Sequence, residues 1–142
     1  MARLPEEIVT LLDELIVRSP YGRLLGLELV GAEEDCVSLR MPYRSEVTTL
    51  GDTVHGGAIS GLVDSAATAS FWANPKIEPG TRGTTIGFSI NFLAAGRGRD
   101  LVATGKVRRR GREISTGEVT VRDDEGKEIA CALVTYKLSA DV

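Results

Sequence analysis

The chain has 142 residues, 42% of them apolar and 26% charged, proportions that suit one compact globular domain. A formal net charge of −3 argues against a global attraction to nucleic acid and leaves only a local basic patch as a polyanion site. Two distant cysteines, Cys36 and Cys131, and a single histidine, His55, are too few ligands for a zinc site and suit buried free thiols in a cytoplasmic protein.

The first residues, Met1 to Glu7, lack the apolar core of a signal peptide, and no stretch is long enough to span a membrane. Ile8, Leu11, Leu12, Leu15 and Ile16 recur at helical spacing and predict an amphipathic helix over Pro5 to Arg18. Ser19-Pro20-Tyr21-Gly22 breaks it, so residues 1–20 read as an N-terminal helix and 21–142 as the core of a single domain. Leu27–Val30 and Cys36–Met41 read as a strand pair joined by the acidic turn Glu33-Glu34-Asp35, and Pro42–Asp52 as a loop.

A second helix is predicted over Gly56–Trp72. It is crowded with small residues (Ala58, Ser60, Gly61, Ala66, Ala67, Ala69, Ser70), the mark of a helix packed closely on several sides. Beyond the Pro/Gly loop Asn74–Gly83 the period changes to two. Ile86, Phe88, Ile90 and Phe92 then share one face of a strand, and Thr85, Gly87, Ser89 and Asn91 the other. Trp72, Phe88 and Phe92 read as core. Strands over Leu101–Arg110, Glu113–Arg122 and Glu128–Leu138, linked by short turns, imply antiparallel pairing. The whole is an α+β pattern, with one antiparallel sheet able to curl around the small-residue helix.

The chemistry concentrates in Val54-His55-Gly56-Gly57-Ala58, where that helix begins. First-turn N–H groups have no intrahelical partner and carry partial positive charge, and glycines let a ligand oxygen approach them. That suits a carbonyl developing negative charge. Asp64 lies in the middle of the same apolar helix, where an ionised carboxylate is costly unless paired or functional. It reads equally as a functional group and as an exposed or locally capping one. Gly57 and Asp64 are seven residues apart, nearly two turns, hence on one face but about 10.5 Å apart along the axis. One chain cannot bring both to the same carbonyl. Two such helices packed antiparallel about a two-fold axis would, giving two equivalent sites per dimer.

The segment VHGGAISGLVDSA, with Asp nine residues after the histidine, resembles the HGG element of PaaI-like hotdog thioesterases. The likeness continues through TTIGFSINFLAAGRGRDLVATGKVRRRGREIS and covers nearly the whole chain after Tyr21. It implies a hotdog fold, with five or six antiparallel strands wrapped around a central helix. It further implies a homodimer with shared active sites, commonly a dimer of dimers (a homotetramer), that hydrolyses acyl-CoA with no metal or separate cofactor. Asp64 would be general base or nucleophile, the Gly57 N–H would polarise the thioester carbonyl, and His55 would help position it, with Gly56 beside them. Thr49 stands where relatives often carry Asn, and Ala94 where they often carry Arg. Arg108-Arg109-Arg110-Gly111-Arg112 is the one dense basic patch. By itself it reads as a solvated hairpin tip. The resemblance puts Arg109, Arg110, Gly111 and Arg112 near the CoA phosphates, with Arg108 and Arg110 on one strand face and Arg109 on the other. Asn91 is a further substrate-binding candidate. Two other readings of such a domain are a non-catalytic acyl-CoA-binding module, which would not need an acid at position 64, and an enoyl-CoA hydratase, which would want an Asp/His pair on one loop–helix element.

Overall fold

The computed structural model describes residues 2–140. Helix α1 spans Glu6–Leu12 and runs on through a wide π turn, Asp13–Val17, closed by the Arg18 N–H on the Asp13 carbonyl at 2.9 Å. The expected N-terminal helix is therefore present. The supposed breaker after it is a second short helix, α2, Pro20–Leu25. Ser19 caps it by accepting the Gly22 N–H at 3.0 Å, and Gly26 ends it at φ 70°, a conformation that favours glycine.

Strands β1 (Glu28–Glu33) and β2 (Cys36–Met41) form the first hairpin, its turn reversing at Asp35, φ 63°. A single 3₁₀ turn, Ser45–Val47, precedes α3, Gly56–Trp72. Strands β3 (Arg82–Phe92), β4 (Leu101–Arg109), β5 (Ile114–Asp123) and β6 (Glu128–Ser139) follow. All pairs are antiparallel, in one six-stranded sheet ordered β1-β2-β4-β5-β6-β3. The hotdog expectation holds: α3 lies across one face, touching β2 to β6.

The small residues of α3 are explained by how close it lies to the sheet. A methyl at Gly105 of β4 would collide with the Ala66 carbonyl, and one at Gly117 of β5 would press on the Phe71 ring. Buried Leu62, Val63, Ala66, Phe71 and Trp72 meet Val37, Leu39, Leu101, Val119 and Val134 there. Phe71 stacks on Tyr136 of β6 with ring centroids 4.9 Å apart. α1 and α2 cover part of the other side of α3, but the first turn of α3 is left open.

Three expectations need correction. Cys36 and Cys131 are free but only half-buried, on the sheet face away from α3, and burial pushes the Cys36 thiol up despite nearby Lys106. Phe88 and Phe92 are not core in this chain: they are 36% and 51% exposed on β3, which pairs with β6 alone. Finally, the strict alternation along β3 fails. The register slips between Thr85 and Gly87, leaving Ile86 as a bulge. Thr85, opposite buried Tyr136, therefore faces α3 on the same side as Phe88, Ile90 and Phe92.

Candidate active site

The bulge at Ile86 has a chemical consequence. With Thr85 turned toward the helix, its hydroxyl donates to Asp64 Oδ1 at 2.7 Å. Asp64 is half-buried, and no Lys or Arg pairs with it among the described residues. One oxygen is thus fixed, while the charge is left without a cation. Behind it lies Tyr136, whose phenol is pushed up by burial, the Trp72 hydrogen bond opposing and the Asp64 charge adding to the rise. The Trp72 indole N–H donates to that phenol at 2.8 Å. Thr85 escaped the sequence reading because strict alternation sent it to the wrong face. Its signal would have been Gly87, since a glycine inside a strand pattern often marks a bulge.

His55 is the N-cap of α3. Its Nδ1 accepts the Gly57 N–H at 2.7 Å, which leaves Nε2 as the ring nitrogen able to donate. The N–H assigned above to the substrate carbonyl is therefore already engaged. Gly56 N–H, at the first helical position, has no acceptor among the described residues. Of the two glycines it is therefore Gly56 whose first-turn N–H is open to a ligand oxygen. A Cβ at Gly56 would come within 3.3 Å of Phe92, which ties this helix end to the β3 edge. Gly56 and Asp64 are eight residues apart, about 12 Å along α3.

Thr49 lies exposed on the loop leading to His55, its N–H donating to the Thr53 carbonyl at 2.9 Å. The loop is anchored by the His55 N–H on the Val47 carbonyl and the Val54 N–H on the Gly96 carbonyl, both 2.8 Å. Asn91 is separated from these groups. Opposite Cys131 in the register, it lies on the face away from α3.

The arginine run divides. A register slip between Val107 and Arg109 overturns the expected alternation. Arg108 pairs with Glu118 at 3.1 Å on the outer sheet face. Arg110 turns inward, donating to Asp35 at 2.7 Å and to the Phe71 carbonyl at 3.1 Å, which clamps the end of α3. Its guanidinium is thus already engaged, although the residue also borders the concavity at Arg112. Arg112, Lys76 and Asn74 line a small concavity of about 170 Å³ over Gly111, whose N–H is held by Ser115. Arg109 is exposed, and neither it, Arg112 nor Lys76 pairs with a carboxylate among the described residues. Among the described residues no helix is long and apolar enough to cross a membrane.

An open helix end and a carboxylate fixed by a hydroxyl, on a helix wrapped by a six-stranded sheet, make a candidate hydrolase site on a hotdog fold. The family model of the thioesterase superfamily matches residues 51–130, more than half of the 142 residues, and the chain belongs to that superfamily. It is similar to the Escherichia coli protein named medium/long-chain acyl-CoA thioesterase YigI, 26% identical, the match covering 92% of this chain and 94% of that one. It is also similar to human acyl-coenzyme A thioesterase 13, 29% identical over 78% of this chain and 79% of the relative. Among solved structures, the E. coli PaaI protein from the phenylacetic acid degradation operon superposes with a TM-score of 0.84. That match covers 98% of each chain at 19% identity, a likeness of fold.

Proposed function

We propose that this protein hydrolyses acyl-CoA thioesters to free acid and CoA, in sites that two copies of the chain complete together. The observation that carries the reading is the Asp64 carboxylate, held by Thr85 and unpaired with any cation among the described residues. Gly56 N–H supplies a hydrogen bond to the thioester oxygen as charge builds on it, a donor typically worth about 3 kcal/mol in the transition state. Asp64 takes a proton from the attacking water, or attacks the carbonyl itself. The thiolate of CoA leaves and is protonated, so water and thioester balance acid and thiol with no cofactor. Single turnover in ¹⁸O-water separates the two roles: label entering Asp64 marks the nucleophile.

The second copy is argued from β3. It runs 11 residues, pairs on one side only among the described residues, and carries exposed Ile86, Phe88 and Phe92. Such an edge invites another strand. Phe92 sits against Gly56, so joining two β3 edges would bring each helix end toward the partner's Asp64. A further pairing of dimers into a homotetramer, and a cytoplasmic location, complete the proposal. Arg112, Arg109 and Lys76 serve the CoA phosphates, Arg bonding phosphate in pairs. Thr49, with His55, borders the carbonyl. Incubation with aryl, short, medium and long acyl-CoAs, with thiol release followed, tests the reading. Steady release from at least one class is the expected result. Binding without release in every class would favour the non-catalytic acyl-CoA-binding module.

A further inference from the structure

Resting on the acyl-CoA reading, we propose that the cavity beside His55 receives the acyl group, and that Tyr21 and Leu24 of α2 set its size, favouring aryl and medium-chain acyl groups over long chains. The cavity measures about 290 Å³, near the lower limit of small-molecule sites. His55 and Ala58 form its inner wall, so it opens directly from the helix end that holds the carbonyl. Leu25 and Val47, each 5% exposed, make an apolar floor. Tyr21 and Leu24 stand at the mouth, 47% and 65% exposed, without being needed for the core.

The placement of Tyr21 is built into α3. A methyl at Gly61 would collide with the Tyr21 hydroxyl, so the glycine is what lets the ring lie along the helix between its open end and Asp64. The opposite wall is polar: Arg44, which donates to the Leu24 carbonyl, together with Glu46 and Thr48. An alkyl chain outgrowing the apolar floor meets charge and water there, which loses the gain from burying further methylenes. The cavity therefore rewards a compact apolar group and stops rewarding length.

The test compares the full chain with Leu24→Trp and Tyr21→Ala across straight-chain acyl-CoAs and phenylacetyl-CoA. Leu24→Trp fills the mouth and should lower kcat/KM for octanoyl- and phenylacetyl-CoA by tenfold or more, leaving the shortest accepted acyl-CoA unchanged. Tyr21→Ala opens it and should move the optimum to longer chains. Active variants whose chain-length profiles both match that of the unaltered protein would overturn the inference and leave the hydrolase reading standing. An unaltered protein that releases thiol from none of the substrates would overturn that reading, and this inference with it.

Discussion

The two ends of α3 are treated differently by the fold. At the C-terminal end the charged and polar groups are tied to one another. Arg110 bridges the Phe71 carbonyl to Asp35, the Asp35 N–H donates to the Ala73 carbonyl, and Trp72 donates to Tyr136. At the N-terminal end the cap is made by a side chain of the site itself, His55, and Gly56 N–H is left unbonded among the described residues. Asp64 lies between, with one oxygen held. Rigidity is concentrated where no chemistry is proposed, and unused hydrogen-bonding capacity where it is. A helix anchored at one end can present unsatisfied donors at the other without fraying.

That contrast predicts different kinds of damage. The largest effect should come from Asp64→Asn, which keeps the shape and removes the base. kcat should fall by roughly 10²–10⁴-fold with KM and thermal stability little changed; unimpaired turnover would remove Asp64 from the chemistry. Next is Thr85→Val, which deletes one hydrogen bond to a charged group. It should cost about 1.5–3 kcal/mol, seen as a loss of roughly ten- to a hundredfold in kcat. A fall in melting temperature with kcat intact would make Thr85 merely structural. At the anchored end the pattern should invert. Arg110→Ala strips the Phe71 carbonyl and Asp35 of their partner and should cost about 1–3 kcal/mol of stability with little change in KM. Arg112→Ala should leave stability alone and raise KM several-fold at low salt, less at high salt. If Arg110→Ala instead moved KM alone, the division of the arginine run would be wrong.

How legible these ends were in the sequence follows from the range of the forces that shape them. α3 reads correctly from Gly56 to Trp72, and β2 from Cys36 to Met41, because caps, turns and period are local. α2 was also written locally, as a Ser-Pro start and a Gly26 stop, but over six residues those signals pass for a breaker. The face of Thr85 depends on a single bulged residue, which reverses the parity of everything before it. Arg110 and Asp35 are 75 residues apart, and nothing local announces their contact. The capped Gly57 N–H turns on where one imidazole points, so the pattern His-Gly-Gly marks the helix start without saying which glycine remains open.

The central claim is that each site joins Gly56 of one copy to Asp64 of another, because about 12 Å of helix separates them within a chain. Mixing two inactive proteins tests it most directly. Asp64→Asn lacks the base, and Gly56→Leu blocks the helix end and displaces Phe92. After verified subunit exchange, each mixed dimer should hold one site with both groups intact and one with neither, so activity should return toward a quarter of the unaltered level, since half the dimers are mixed and each has one working site. Activity that stays at the level of the two separate variants would contradict a shared site.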